Sequence, residues 1–457
     1  MKQQLKGKRI VIVGLGESGR SAARLAGFLG AEITVTDKRS LPELSEERLA
    51  DLPRETMVFA GGHPEKAFKN CDQVILSPGV PQEIPELDIA RKKRIQIVSE
   101  VEFACRYIKQ PIIAVTGTNG KSTTTTLIGK ILADQGFKVF VGANLGNPVS
   151  RGVLEMLRRK AAPDYWVLEM SSFQLETVES FHPHIGLFLN LSPDHLDRYR
   201  SMEDYRAAKM RLFMNQASHD FAIYNESVSG SVSGRGKKIP FSRKKALKKG
   251  CWVENQTVHY AIGSRKGTLG KTAEFGIKGV HNLENVLAAG AAAVTCQAEP
   301  EGIRRSLSEF SGLEHRMEFV GKVNGISFIN DSKATNLDAT EKSLNSFSEP
   351  VILIAGGRSK QPGFHELAES IREKVRLLLL IGESAQQIQE DITAEIGNAV
   401  ETRRADSLAE AVDLGYRNAR CGEVVLLSPA CASFDAFKNF EDRGRQFKAA
   451  VSRLEKN

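Results

Sequence analysis

Two stretches of this chain pair glycine spacing with charged or hydroxyl side chains in a way suited to holding phosphate. In the sharper one, the apolar run Ile112 to Val115 leads into Thr116-Gly-Thr-Asn-Gly-Lys121-Ser122-Thr123, and a helical pattern continues from Thr124. A strand, a glycine turn and a helix start in that order aim backbone N–H groups at an anion. Gly117, Thr118, Asn119 and Gly120 can cradle phosphate oxygens, Lys121 can pair with β- and γ-phosphates, and the Ser122 hydroxyl can hold Mg²⁺. Val115 stands where the general pattern has its first glycine, so a chance Gly-Lys-Ser is the competing reading. A metal at such a loop needs a carboxylate from a neighbouring strand. Trp166-Val-Leu-Glu169 ends in one, against the view that Glu169 is a generic strand-terminal residue.

The second stretch is Gly14-Leu15-Gly16-Glu17-Ser18-Gly19, preceded by Ile10 to Val13 and followed by an alanine-rich helical pattern, with Asp37 ending the next strand. The glycines permit a tight turn and close approach to a pyrophosphate, and Asp37 can accept ribose hydrogen bonds. The pattern fits NAD, another nucleotide or mere packing, and by itself leaves all three open. Further on, Asn190-Leu-Ser-Pro-Asp194-His195-Leu-Asp197 follows a buried strand, and Lys209 lies fourteen residues beyond His195 on a predicted helix. Taken singly, His195 reads as a structural cap and Lys209 as a solvated face residue.

These groups need sheets to position them. Apolar β-rich runs alternate with helical patterns along most of the chain, which predicts an α/β class built from parallel βαβ units. The predicted strands are Arg9 to Val13, Ile33 to Thr36, Val74 to Leu76, Ile112 to Val115, Trp166 to Leu168, Ile185 to Leu189, Val351 to Ile354, Leu377 to Ile381 and Val424 to Leu427. At 457 residues the chain calls for more than one core. Boundaries are placed near Gln110 and Ser311, giving segments 1–110, 111–311 and 312–457. With 41% apolar and 26% charged residues it reads as globular. No apolar run approaches the roughly 20 residues of a membrane span, and the amino terminus lacks a secretory pattern. The expectation is a cytoplasmic protein. Six cysteines without a C-x-x-C pair predict reduced thiols rather than a disulfide scaffold or zinc site. Lys and Arg total 63 against 55 Asp and Glu, and eight of the basic residues fall in the acid-free tract Arg235 to Lys249, read as a solvated loop. No nucleic-acid signature accompanies it, so no nucleic-acid partner is expected; diffuse positive charge suits a polyanionic small substrate.

Taken together, the motifs carry a resemblance. Thr116 to Thr123, Glu169-Met-Ser-Ser-Phe-Gln-Leu175, Asp194-His-Leu-Asp197, His281-Asn-Leu-Glu-Asn285, His315-Arg316, Asn330-Asp331-Ser-Lys-Ala-Thr335-Asn336 and Ser428-Pro-Ala-Cys-Ala-Ser433 occur in one order across nearly the whole chain. The set resembles the Mur ligase family, and most nearly its branch that adds D-glutamate.

The resemblance implies a monomeric, three-domain, ATP-driven amide ligase of peptidoglycan precursor synthesis, with UDP-N-acetylmuramoyl-L-alanine, D-glutamate and ATP as substrates. The amino-terminal domain is Rossmann-like, the central one carries the P-loop, and the carboxyl-terminal one is again Rossmann-like. The resemblance replaces NAD at Gly14 to Gly19 by UDP, with Gly14, Leu15, Gly16, Glu17, Ser18, Asp37, Lys38, Arg39, Ser77 and Gly79 around it. It assigns Asn144, Ser171 and His195 to the sugar-nucleotide and its reacting end. Two Mg²⁺ ions (Mn²⁺ can substitute) are implied at Ser122, Glu169, His195 and Lys209, the last as a CO₂-derived carbamate. Asn282, Asn285, Arg316 and Asp331 join the phosphate loop around ATP; Lys121, His195, Lys209 and Lys333 are the implied catalytic residues; Thr335, Lys360, Ser433, Phe434 and Phe440 are the implied D-glutamate pocket. Ser433 and Phe440 are seven residues apart, about two helical turns, and are expected on one helix face. Gly356-Gly-Arg358-Ser359-Lys360-Gln361 departs from the Gly-Gly-x-Asp-Lys-Gly form associated with that pocket.

Overall fold

The computed structural model describes residues 4–44, 46–195, 198–277, 279–359 and 363–454. Among these, the strands form three sheets. The first is five-stranded and parallel throughout, in the order Met57–Ala60, Glu32–Asp37, Arg9–Val13, Gln73–Leu76, Gln96–Ser99. The second is nine-stranded, ordered Arg265–Lys271, Thr257–Ile262, Gly250–Glu254, Lys237–Ser242, Phe221–Asn225, Ile185–Phe188, Ile112–Thr116, Tyr165–Glu169, Val139–Ala143. The third is six-stranded, ordered Glu318–Val323, Ile326–Asn330, Val424–Leu427, Val351–Gly356, Val375–Ile381, Glu401–Arg404, and only its first pair is antiparallel.

Parallel strands covered on both faces must be apolar along their length. Ile112–Thr116, Val351–Gly356 and Val424–Leu427 are buried at every residue, and each was readable as an uninterrupted apolar run. The basic tract corrects the loop reading. Lys237–Ser242 within it is a strand, because Ile239 and Phe241 turn into the core while Lys237 stays outside. Beyond it, Gly250–Glu254, Thr257–Ile262 and Arg265–Lys271 pair antiparallel, an addition that the βαβ pattern did not predict. No helix among the described residues is long and apolar enough to cross a membrane.

The chain divides into two compact units. The first holds the five- and nine-stranded sheets (Met1–Leu191, Tyr205–Glu274, Glu284–Leu307), and the second holds the six-stranded sheet with Ser192–Asp204 and Phe275–Leu283. Within the first unit, the helix Glu100–Cys105 carries a buried carboxylate at Glu102. It accepts backbone N–H bonds from Glu179, Ser180 and Phe181 at 3.0, 3.0 and 2.9 Å, and its charge is met by Arg106 at 3.3 Å.

Candidate active site

The phosphate loop forms because the strand Ile112–Thr116 ends in a turn that glycine alone tolerates. Gly120 has φ +82°, and a Cβ there would stand 2.2 Å from Asn285 Oδ1. Asn190 brackets the loop: its carbonyl accepts from Thr118 N at 3.1 Å, its Oδ1 from Asn119 N at 2.8 Å, and its Nδ2 donates to Asn119 O at 3.1 Å. Asn285 accepts from Thr124 Oγ1 at 3.2 Å, so this predicted ATP residue does lie at the loop. Ser122 and Thr123 are buried in the first turn of the helix Lys121–Asp134.

Two lysines converge on one oxygen. Lys121 Nζ donates to Gly117 O at 2.9 Å and Thr118 O at 2.7 Å, and Lys209 Nζ donates to the same Gly117 O at 2.8 Å. Lys209 is 1% exposed, far from the solvated residue its type suggests, and lies over the Tyr205 ring at 4.4 Å. Tyr205, which sequence reasoning passed over, reaches Thr118 Oγ1 at 3.4 Å.

Glu169 pairs in register with Val115 on one side and Ala143 on the other, which sets its carboxylate at the end of the strand beside the phosphate loop. It is buried and accepts from Asn144 Nδ2 at 2.6 Å. Ala143 holds φ +69° to turn Asn144 back, and such a conformation in a non-glycine residue is commonest where a site requires it. An oxygen donor set of Ser122 hydroxyl and Glu169 carboxylate suits a hard divalent cation.

The glycine turn at Gly14 opens a cleft of about 640 Å³, lined by Gly14, Gly16, Glu17, Ser18, Asp37, Lys38, Arg39, Ser77 and Gly79, with Asn144 from just beyond the strand Val139–Ala143 and Gln174 from the helix Ser172–Leu175. Gly19 is required because a Cβ there would lie 1.9 Å from Gly14 O. Asp37 is occupied internally. It accepts from Leu15 N at 2.6 Å and is forked by Arg39 at 2.9 and 2.7 Å. Burial alone would raise its pKa, but the Arg39 and Leu15 bonds overcome this and hold it well below the usual carboxylate range. The Leu15 side chain is fully buried in the core, and its N–H serves the turn. Glu17 is paired with Arg20 and Arg151. Ser171 caps the helix Ser172–Leu175 reciprocally with Gln174.

In the second unit, His195 holds φ +57°, and its Nε2 stands 3.7 Å from Asp194, which accepts from Asn336 Nδ2 at 3.0 Å. Asp197 lies outside the described residues. Asn282 is buried, its N–H bonded to Gly279 O at 3.1 Å. Asp331 is fully buried, which pushes its pKa up to about 6 against the pull of the Ser343 hydroxyl and the nearby Arg316 charge. It accepts from Ser343 Oγ at 2.5 Å, Ser428 Oγ at 3.1 Å and Met317 N at 3.1 Å. Lys333 lies over the Phe440 ring at 5.0 Å. Thr335 directly precedes Asn336, the cap of the helix Leu337–Leu344.

Ser433 and Phe440 do not share a helix. The helix starts at Phe440, where Asn439 Oδ1 accepts from Asp442 N at 2.7 Å, and Ser433 is buried in the preceding loop. Phe434 is 63% exposed. Lys360 lies outside the described residues. The departing loop is tied down on its near side: Arg358 forks Glu383 at 3.0 and 2.8 Å, exchanges two 2.9 Å backbone bonds with Ala432, and Ser359 N donates to Ser384 Oγ at 2.9 Å.

Arg443 was missed altogether. Its side chain is fully buried, and it donates to Ser332 Oγ at 3.0 Å, Ser332 O at 2.8 Å and Cys431 O at 3.1 Å. It thus ties together the loops that carry Lys333 and Ser433. Burial pulls its pKa down to about 10. Glu314, His315 and Glu318 form the one metal-like cluster among the described residues, but Lys448 bridges both carboxylates at 2.7 Å.

Residues 8–99 match the model for a Mur ligase MurD-like N-terminal domain, 115–293 the Mur ligase middle domain, and 315–431 the Mur ligase glutamate ligase domain. The chain is 40% identical over 455 residues to UDP-N-acetylmuramoylalanine–D-glutamate ligase of Geotalea daltonii, covering 99% of this chain and 98% of that one. The protein of the same name from Koribacter versatilis is 41% identical over 455 residues, covering 98% of each. The chain belongs to the Mur ligase family. Solved structures of lower identity share the fold of this Mur ligase. A pseudomurein peptide ligase type C from Methanothermus fervidus superposes with TM-score 0.60 at 16% identity, covering 98% of this chain and all of the other. UDP-N-acetylmuramate-alanine ligase from Thermotoga maritima gives 0.59 at 20%, covering 98% and 99%. Family membership removes NAD as the ligand of the glycine turn, since a Mur ligase has no hydride to transfer.

Proposed function

We propose that this Mur ligase joins D-glutamate to UDP-N-acetylmuramoyl-L-alanine at the expense of ATP, in cytoplasmic peptidoglycan precursor synthesis. Supporting this are relatives bearing that name at about 40% identity along essentially the full chain. On this reading residues 1–110 bind the UDP moiety, 111–311 bind ATP, and 312–457 bring the amino acid, in a monomer.

A carboxylate is a poor electrophile. ATP therefore phosphorylates the alanyl carboxylate, the D-glutamate amine attacks the acyl phosphate, and the tetrahedral intermediate collapses to amide and phosphate. The first step brings a γ-phosphoryl group against a carboxylate, so fixed cations must lie where charge converges. Lys121 fills that role at the loop, and Lys333 from the third sheet adds a second cation. Ser122 and Glu169, with His195 as a further ligand, would hold Mg²⁺, which would supply neutralising charge to the phosphates. Asn190 keeps the loop N–H groups aimed inward. Asn282, Asn285, Arg316 and Asp331 hold ATP; Asn144 and Ser171 orient the sugar-nucleotide; Thr335, Lys360, Ser433, Phe434 and Phe440 hold D-glutamate.

Lys209 is carbamylated on this reading. Two ammonium groups on the Gly117 carbonyl repel one another. Loss of one proton from the Lys209 ammonium gives the amine, whose lone pair forms an N–C bond to CO₂ as a C=O π pair moves onto oxygen; loss of a second proton from nitrogen leaves a carbamate anion, which would be a further oxygen ligand for a metal. The test of the whole assignment is phosphate release that requires both the sugar nucleotide and an amino acid, run across a panel of amino acids. Release with L-alanine, L-lysine or diaminopimelate in place of D-glutamate moves the protein to a sister activity.

A further inference from the structure

The basic tract that begins at Arg235 runs on through the antiparallel strands that follow it. Residues 235–271 hold eleven Lys and Arg against one acid, Glu254. That excess is larger than the +8 of the whole chain, so the other residues are together net acidic and the positive charge of this protein is local rather than diffuse.

The strands decide where the charge is presented. Cys251, Val258, Tyr260, Ile262 and Leu269 are buried, so one face of Gly250–Glu254, Thr257–Ile262 and Arg265–Lys271 is turned inward. Side chains alternate across a sheet, and the register Trp252 to His259 and Ala261 to Lys266 puts Trp252, His259 and Lys266 together on the other face. Arg265–Lys271 is the last strand of the nine-stranded sheet. Lys248 and Lys249 lead into the first of the three strands and Lys271 ends the last; these three, Lys244 and Lys266 are exposed, and among the described residues none of the five has an acidic partner.

The kind of cation narrows the partner. Nucleic acid is gripped by arginine forks and by aromatic rings free to stack on bases, whereas lysines on flexible stems act as point charges toward a diffuse anionic surface. Here two forks are already engaged: Arg243 pairs with Glu284 at 2.8 Å, and Arg265 donates to Val294 O at 3.3 Å and Ala298 O at 2.9 Å. The Trp252 ring is stacked on His259, with centroids 5.6 Å apart and planes 15° from parallel. A half-buried tryptophan among exposed lysines is the composition that settles at the headgroup level of a bilayer.

We propose that this three-stranded edge is a peripheral attachment surface for an anionic lipid bilayer, held by its lysines with the Trp252 and His259 pair toward the headgroups. Attachment of this kind is electrostatic and salt-sensitive. It is read without any substrate, so it stands or falls apart from the ligase assignment.

The full chain is sedimented with vesicles of phosphatidylcholine alone and of phosphatidylcholine with phosphatidylglycerol, at about 0.1 M and about 0.5 M salt. Three variants are compared with wild type: Lys244, Lys248, Lys249 and Lys266 all changed to Glu, the same four changed to Gln, and a control with Lys6, Lys8, Lys92 and Lys109 changed to Glu, which are equally exposed and give the same net charge as the first. The expected result is binding to the anionic vesicles only, lost at the higher salt, weakened about a hundredfold in the first variant, less in the second and little in the control. Phosphate release in solution should stay at the wild-type rate in all three. No binding of wild type to anionic vesicles at the lower salt overturns the proposal, as does wild-type affinity in both the Glu and the Gln sets. Equal losses in the first variant and the control overturn it in favour of net charge alone. Displacement from the vesicles by a single-stranded oligonucleotide at far below their accessible charge overturns it in favour of a nucleic-acid surface.

Discussion

The first compact unit contains two glycine turns, each at the end of a central parallel strand and the start of a helix, and they treat charge in opposite ways. At Gly14 to Gly19 the one strand-end carboxylate is neutralised by its own Arg39 and the Leu15 N–H. At Gly117 to Ser122 two lysine ammonium groups crowd a single carbonyl oxygen. The first turn is electrostatically finished before a ligand arrives and is suited to binding substrate and transition state equally. The second gathers lysine nitrogens where phosphoryl charge converges, and such groups raise the rate insofar as they meet the transition state better than the bound substrate. A shared local shape therefore does not imply a shared task.

The comparison breaks most visibly at the lysines. Lys121→Ala should lower kcat by roughly three orders of magnitude while UDP affinity stays at the wild-type value. Near-normal phosphate release would make the second turn a packing device. Lys209→Ala should be nearly as inactive, and added acetate should restore part of the turnover by filling the vacated anion position. An active mutant would remove Lys209 from the mechanism.

Asp37→Ala is the corresponding probe of the first turn. It frees Arg39 and the Leu15 N–H, so the Michaelis constant for the sugar nucleotide should rise by about a hundredfold, equivalent to about 3 kcal/mol, with kcat little altered. A fall in kcat instead would mean that both turns act on the chemistry.

The third probe is pH. Asp331 titrates at about 6, and only its ionised form attracts Arg316. kcat/KM for ATP should fall about tenfold per unit below that value, while Asp37 in the first turn stays ionised. Because burial raises Asp331 above its ordinary 3.8, its contribution to folding is full below that value and is lost as pH rises through about 6. In Asp331→Asn the acid limb should disappear. The smallest effect belongs to Arg358→Ala. Its pair with Glu383 is half exposed, so the Michaelis constant for D-glutamate should rise only about two- to threefold, and the double mutant Arg358→Glu with Glu383→Arg should recover it.

Both glycine turns were legible because each lies within a few residues of sequence and each is announced by an apolar strand. The nine predicted strands are all present for the same reason. Arg443 was not legible: nothing near it distinguishes a fully buried arginine from the exposed Arg445, since its partners Ser332 and Cys431 arrive from distant loops. Asn190 stood inside a recognised motif, but its bracket around Thr118 and Asn119 spans some seventy residues and exists only once the strands are paired. The Ser433 and Phe440 reading failed because helical spacing was applied across a stretch that Asn439 interrupts. The strand Lys237–Ser242 was hidden by its basic residues, whereas Thr257–Ile262 alternates buried with half-buried residues and was readable but passed over.

The carboxylate of Glu102 has a consequence for how the chain breathes and how it can be cut. Glu179, Ser180 and Phe181 belong to no helix or strand, yet their three successive amides donate to a buried anion. In hydrogen–deuterium exchange this irregular stretch should be protected like a central strand, opening only when the helix Glu100–Cys105 lets go. Cleaving the chain near Gln110 and separating the pieces would leave three amides without their acceptor on one fragment and a stranded carboxylate on the other. Limited proteolysis there should therefore nick the protein without releasing either piece.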